Sequence, residues 1–417
     1  MLINRKTLQG KVLIPASKSQ TIRAFLIAAF SRGISTIRHP LISDDTSSCI
    51  KAVEEMGAIV TFSEIGDATV DATSAFTGLE SLHIDAGNSG TTEYLSLPLL
   101  ASLGIPVQVD GDEQLRKRPL SPLLKALEDL GAETESTEGF PPAVVRGPLD
   151  GGDTVIECRT SQYLSGLLLG APLAIGESHI KCSLLYEKPY VRMTLKWLDD
   201  EGIRYRISED LEEAWIEGGQ SYQPLDTYIE GDFSSAAFFF VAAAIGGSEI
   251  TVEGLDKDST QGDKAILDIL SAMGCSVSWK GNSVTVKGPD KLKGGEFDLN
   301  AIPDTLPSLA VAAAFAYGDT HLTNVPQARI KETDRISVMC ENLRLMGVEV
   351  EEEKDGMLIH GKGGIKGGKV KGYGDHRVIM ALYTAGTGSE EGVDIDDTSA
   401  ASVTFPTFFT LMKSLEV

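Results

Sequence analysis

The chain of 417 residues is too long for one ordinary hydrophobic core, so two domains are expected. With 60 Asp and Glu against 37 Lys and Arg, the net charge of −23 argues against nucleic-acid and anionic-membrane partners and makes any cation cluster a local feature. The five cysteines (Cys49, Cys158, Cys182, Cys275, Cys340) form no CxxC or Cys/His pair, which reads as reduced thiols rather than disulfides or a metal site.

In chain order, MLINRKTLQGKVLIP lacks a secretory apolar core, and the longest apolar run, Ala236 to Ile245, is too short to span a bilayer. A soluble, cytoplasmic protein is expected. Ile14 to Phe30, IPASKSQTIRAFLIAAF, places Lys18, Ser19 and Arg23 just before an apolar helix. Cations at a helix N-terminus are unfavourable unless an anion sits among them.

Further helices end in glycine before a strand at Gly57, Gly131, Gly202, Gly274 and Gly347, spaced by 71 to 74 residues. A more apolar set ends at Gly33, Gly104, Gly176, Gly246, Gly318 and Gly388, spaced by 70 to 72. Two landmarks with one period indicate six units of about 70 residues, each an apolar helix, a strand, an amphipathic helix and further strands. The apolar helices, such as AAFFFVAAA, belong in an interior, with the sheets outside them. This is α/β, with three units in each of two domains.

The segments before the apolar helices are SKSQTIR, GNSGTTEY, RTSQYL, GDFSSAA, PDTLPSLA and GDHRVIM. Those before the amphipathic helices add RKRP, EKPY and ARIKETDR. Ser, Thr, Asp and Asn at such places are more often N-caps than ligands. The repetitive Gly361 to Gly372 reads as a loop and strand edge, and His39, His83, His179, His321 and His360 carry no functional reading. What capping leaves unexplained is that Lys and Arg recur at the same phase of separate repeats, beside amides freed by glycine and helix starts. Phosphates and carboxylates are held in this way.

In order and spacing, SKSQTIR, GNSGT, RKRP, TSQYL, KPY, EGDFSSA, IPD, RIKETDR and GDHR resemble the enolpyruvyl transferase family over nearly the whole chain. The resemblance implies a two-domain inside-out α/β barrel of six βαβαββ repeats. The first domain would span 15–230 and the second 1–14 with 231–417, with the active site in the cleft between them. It also implies transfer of an enolpyruvyl group from phosphoenolpyruvate to the 5-hydroxyl of shikimate 3-phosphate, releasing phosphate. That reaction belongs to the shikimate route to aromatic amino acids and needs no metal or organic cofactor. The implied partners are these small molecules, and the chain is expected to be a monomer.

Carried over residue by residue, the resemblance assigns catalysis to Asp304, Glu332 and Lys18. Lys18, Ser19, Arg23, Thr160, Ser161, Gln162, Tyr190, Asp304, Gln327 and Lys331 would hold shikimate 3-phosphate. Lys18, Asn88, Gly90, Arg118, Gln162, Arg335 and Arg377 would hold phosphoenolpyruvate, with Asp45 close to the reacting groups. The chain departs from the family pattern at Tyr94 (often Arg), Glu187 (often Ser), Gln327 (Asn) and Val403 (Lys). Glu187 matters most, because a carboxylate facing a phosphate is repulsive; it would point away, to Arg192, or alter phosphate binding. Two alternatives stay open, the sister transferase acting on a UDP-amino sugar and an anion-binding relative without catalysis; RNA 3'-phosphate cyclases have related repeats, but a pI near 4.7 fits nucleic acid poorly.

Overall fold

The computed structural model describes residues 1–417. Twelve helices alternate between two kinds: α1 (Lys18–Phe30), α2 (Asp44–Glu55), α3 (Gly90–Ala101), α4 (Ser121–Asp129), α5 (Ser161–Gly170), α6 (Lys188–Asp200), α7 (Phe233–Gly246), α8 (Ile266–Ala272), α9 (Leu306–Ala314), α10 (Arg335–Leu345), α11 (His376–Gly388) and α12 (Phe408–Ser414). Odd-numbered helices are buried almost all round; every residue of α3 and α9 is shielded from solvent. Even-numbered helices, such as α6, bury one face and expose the other.

The chain divides into two units, Ala16–Ile229 and Met1–Pro15 with Glu230–Val417. In the first, α1, α3 and α5 lie inside three four-stranded sheets. Each of these sheets joins one parallel pair to an antiparallel hairpin: strand Leu82–Asp85 runs parallel to Pro106–Asp110, which pairs antiparallel with Phe140–Arg146. The second unit repeats the plan around α7, α9 and α11, with two four-stranded sheets and one of three strands. That smaller sheet takes in the N-terminal strand Leu2–Ile3. No helix is long and apolar enough to cross a membrane.

Within the first unit, α5 lies directly against α3. A side chain at Gly166 or Gly170 would strike the Tyr94 and Pro98 carbonyls of α3, so the missing Cβ atoms allow the approach and bring the two helix starts together. In the second unit, Phe405 and Phe408 at α12 pack on Phe238 and Phe239 of α7, with ring centroids 5.7 to 6.1 Å apart.

The sequence reading needs two adjustments. The α1 helix begins at Lys18, so Lys18, Ser19 and Arg23 form its first turns rather than a lead-in. Gly318 lies in strand Tyr317–Thr323, because α9 stops at Ala314. The segment Gly361 to Gly372 is a strand end, a turn and strand Gly368–Val370. All five cysteines are buried free thiols, and Cys158 Sγ lies 3.8 Å from Cys182 Sγ.

Candidate active site

In the first unit the polar groups gather at the starts of the inner helices. Lys18 Nζ lies 3.2 Å from Asp45 Oδ2 and 3.4 Å from Thr91 Oγ1, tying α1 to α2 and α3. Asn88, ahead of α3, donates to Asp112 and Gln114 at 2.7 and 2.8 Å and accepts from Arg118 Nη2 at 3.1 Å. Arg118 also lies against Gly90, where a Cβ would displace its guanidinium. These contacts join GNSGT to RKRP.

A second set spans α1, α5 and α6. Arg23 is 1 % exposed, and its guanidinium donates to Ser19 O (2.9 Å), Thr194 Oγ1 (2.9 Å) and Tyr190 O (3.5 Å). All three acceptors are neutral, and burial lowers its pKa to about 10. Thr160 caps α5 through Gln162 N, so capping accounts for part of its presence, while Gln162 Oε1 is buried without a partner.

Glu187 resolves one question the sequence raised. Its Oε2 accepts from Ser161 Oγ (2.8 Å), Ser161 N (3.1 Å) and Thr160 Oγ1 (3.4 Å), so the carboxylate lies on the start of α5. Tyr94 packs edge-on against Tyr163 with ring centroids 5.2 Å apart, as part of the core. Val403 ends the short helical turn Ser399–Val403.

Sequence reasoning passed over Glu93, which is fully buried on α3 with neither carboxylate oxygen hydrogen-bonded. Burial, against the pull of Arg118, raises its pKa to about 8. The signal was present: an inner helix apolar all round offers a first-turn carboxylate no solvent face.

In the second unit an ion-pair cluster joins three helix starts. Arg335 Nη1 lies 2.9 Å from Asp304 Oδ1, Nη2 lies 2.5 Å from Glu332 Oε2, and Nε lies 2.8 Å from Asp375 Oδ2. Arg377 Nη2 lies 3.0 Å from Asp304 Oδ2, so Asp304 bridges both guanidinium groups. Asp375 also caps α11 through Arg377 N and Val378 N. Gln327 Nε2 donates to Asn300 O at 2.9 Å, whereas Gln327 Oε1 and Arg377 Nε are buried without partners. Burial opposes ionisation of Asp304, but Arg377, Lys331 and Arg335 outweigh it and hold the carboxyl far below the usual range. Asp304 is therefore no N-cap, and Glu332 lies ahead of α10 rather than within it.

The repeated fold, with cations and freed amides at the helix starts of each unit, defines an α/β protein suited to small, multiply anionic ligands. The EPSP synthase (3-phosphoshikimate 1-carboxyvinyltransferase) family model matches residues 3–412. The chain is 46 % identical over 414 residues to the 3-phosphoshikimate 1-carboxyvinyltransferase of Acetivibrio thermocellus, covering 99 % of this chain and 97 % of that one. It is 43 % identical over 414 residues to that of Ruminiclostridium cellulolyticum, with the same coverage. The solved EPSP synthase of Acinetobacter baumannii superimposes with a TM-score of 0.82 at 28 % identity, covering 100 % of this chain and 97 % of that one. The chain belongs to the EPSP synthase family. That membership favours the shikimate-acting branch over the two alternatives left open by the sequence.

Proposed function

We propose that this chain transfers the enolpyruvyl group of phosphoenolpyruvate to the 5-hydroxyl of shikimate 3-phosphate, releasing phosphate, with the following division of labour. Asp304 takes the attacking hydroxyl proton, Glu332 handles the methylene proton, and Lys18, touching both ligands, assists proton transfer. Arg118, Arg335 and Arg377, with Lys18, Asn88, Gly90 and Gln162, hold phosphoenolpyruvate. Lys18, Ser19, Arg23, Thr160, Ser161, Gln162, Tyr190, Asp304, Gln327 and Lys331 hold shikimate 3-phosphate. Each unit carries part of this set.

The observation that carries the reading is Asp304 bridging Arg335 and Arg377. A carboxylate held ionised by two guanidinium groups is a poor base. When the phosphate and carboxylate of a ligand take over those guanidinium groups, their charge is neutralised and the pKa of Asp304 rises. The base is thus activated by the substrate it serves, while the arginines stabilise charge through the tetrahedral intermediate. The buried, unpartnered Arg377 Nε is a donor left for that ligand.

The test is phosphate release from phosphoenolpyruvate with and without shikimate 3-phosphate, beside Asp304→Ala and Glu332→Ala. Release that depends on the sugar phosphate and falls at least about a hundredfold in each variant is expected. Release that persists in both variants, or none in the unsubstituted chain, would overturn the assignment.

A further inference from the structure

Glu187 immediately precedes α6, has a left-handed backbone (φ 58°, ψ 39°) and is 1 % exposed. A non-glycine residue in that conformation is strained, and such strain persists only where the surroundings hold it. The Glu187 carboxylate accepts from Ser161 N, Ser161 Oγ and Thr160 Oγ1 at 2.8 to 3.4 Å. An amide at a helix start flanked by two hydroxyls is an anion-binding arrangement, here filled by the chain itself.

Arg23, nearby, supplies the second observation. It is a buried guanidinium that forms no ion pair and donates only to neutral oxygens, one of them Tyr190 O. Tyr190 N in turn donates to Glu187 O at 3.0 Å, so both features share the first turn of α6. A buried cation without a carboxylate thus stands one turn from a buried carboxylate resting on hydroxyls.

We propose that Glu187 is a built-in occupant of the phosphate subsite, which a ligand phosphate must displace in order to enter. Resting on the reading above, shikimate 3-phosphate binds by displacing the Glu187 carboxylate from Thr160 and Ser161. Three phosphate oxygens can satisfy the amide and both hydroxyls together. A ligand carboxylate, with two oxygens, gains nothing over the one already there. Glu187 therefore weakens phosphate-ester binding and leaves ligands that lack a phosphate, and so do not displace it, unaffected.

The experiment measures binding of inorganic phosphate, shikimate 3-phosphate and shikimate by calorimetry to the full chain and to Glu187→Ser, Glu187→Gln and the double variant Glu187→Ser/Ser161→Ala. Glu187→Gln keeps the shape and removes the charge, which guards against a variant that fails to fold. Both single variants should bind phosphate and shikimate 3-phosphate at least about tenfold more tightly, the scale of one lost charged hydrogen bond. Shikimate affinity should stay within about twofold, a difference below the size of a single hydrogen bond. The double variant should lose the gain. Unchanged or weaker phosphate binding in folded Glu187→Ser and Glu187→Gln would overturn the proposal. If phosphate binding tightens but shikimate 3-phosphate never supports phosphate release, the Glu187 proposal stands and the substrate reading falls. If release depends on shikimate 3-phosphate but the affinities do not move, only the Glu187 proposal falls.

Discussion

Asp375 Oδ2 accepts a hydrogen bond from Arg335 Nε at 2.8 Å, and both side chains are shut off from water, at 0 % and 1 % exposure. Losing Asp375 leaves Arg335 its contacts to Asp304 and Glu332, so the cost is that of a buried charged hydrogen bond, about 1.5–3 kcal/mol, rather than that of a bare charge. Because Asp375 also caps α11, Asp375→Ala should lower stability by at least that amount in urea unfolding. A loss below about 1 kcal/mol, the scale of an exposed pair, would show that the cluster is solvated.

Asp304 is held ionised well below the ordinary carboxylate range, so it should contribute no acid limb to kcat/KM of the free enzyme above pH 4. Asp304→Asn should reduce kcat by about a hundredfold or more while leaving the shape of that profile unchanged. An acid limb between pH 4 and 6 that vanishes in Asp304→Asn would contradict the pairing with Arg335 and Arg377.

Glu93 links stability to pH. Its folded pKa, raised by burial to about 8 from an ordinary 4.5, means the native state holds the proton more tightly than the unfolded chain. No cost arises below pH 4.5; the cost grows as pH rises and is complete above 8, reaching on the order of 3 kcal/mol at pH 7. Glu93→Gln should therefore match the unsubstituted chain near pH 4 and exceed it in stability at pH 8, as read from denaturant midpoints. Equal midpoints at both pH values would show that the carboxyl is not buried in its charged form.

His376 acts at the other end of the scale. Burial outweighs its acidic neighbours and lowers its pKa to about 3 from 6.5, so the unfolded chain takes up a proton the native state refuses. Stability is undiminished above pH 6.5 and falls on acidification toward 3, by about 2 kcal/mol at pH 5. His376→Gln should flatten that part of the stability profile. A slope unchanged in the variant would assign it to other groups.

The fold was legible because its signals are local. Gly57, Gly131, Gly202, Gly274 and Gly347 all adopt positive φ where a helix gives way to a strand, a conformation that side chains resist. Alternation between helices apolar all round and helices apolar on one face indicated inside and outside without reference to any partner. Where that local logic weakened, at Lys18 and Gly318, the boundaries moved, because polar first turns and a short helix carry little periodicity.

The sequence by itself determined the six repeats, the phase of the cations within them and the motifs that carry the family. Only the tertiary structure decided the pairings. Asp304 meets Arg335 across 31 residues, Asp375 meets Arg335 across 40, and Glu187 meets Ser161 across 26. Such contacts depend on how neighbouring repeats pack, which no window of sequence encodes, and Coulomb energy at 3 Å is decided by that packing. For the same reason two fully buried carboxylates have different roles. Glu187 satisfies the donors at the start of α5, whereas Glu93, on a helix surrounded by its neighbours, is left in the core without a hydrogen bond to its carboxylate.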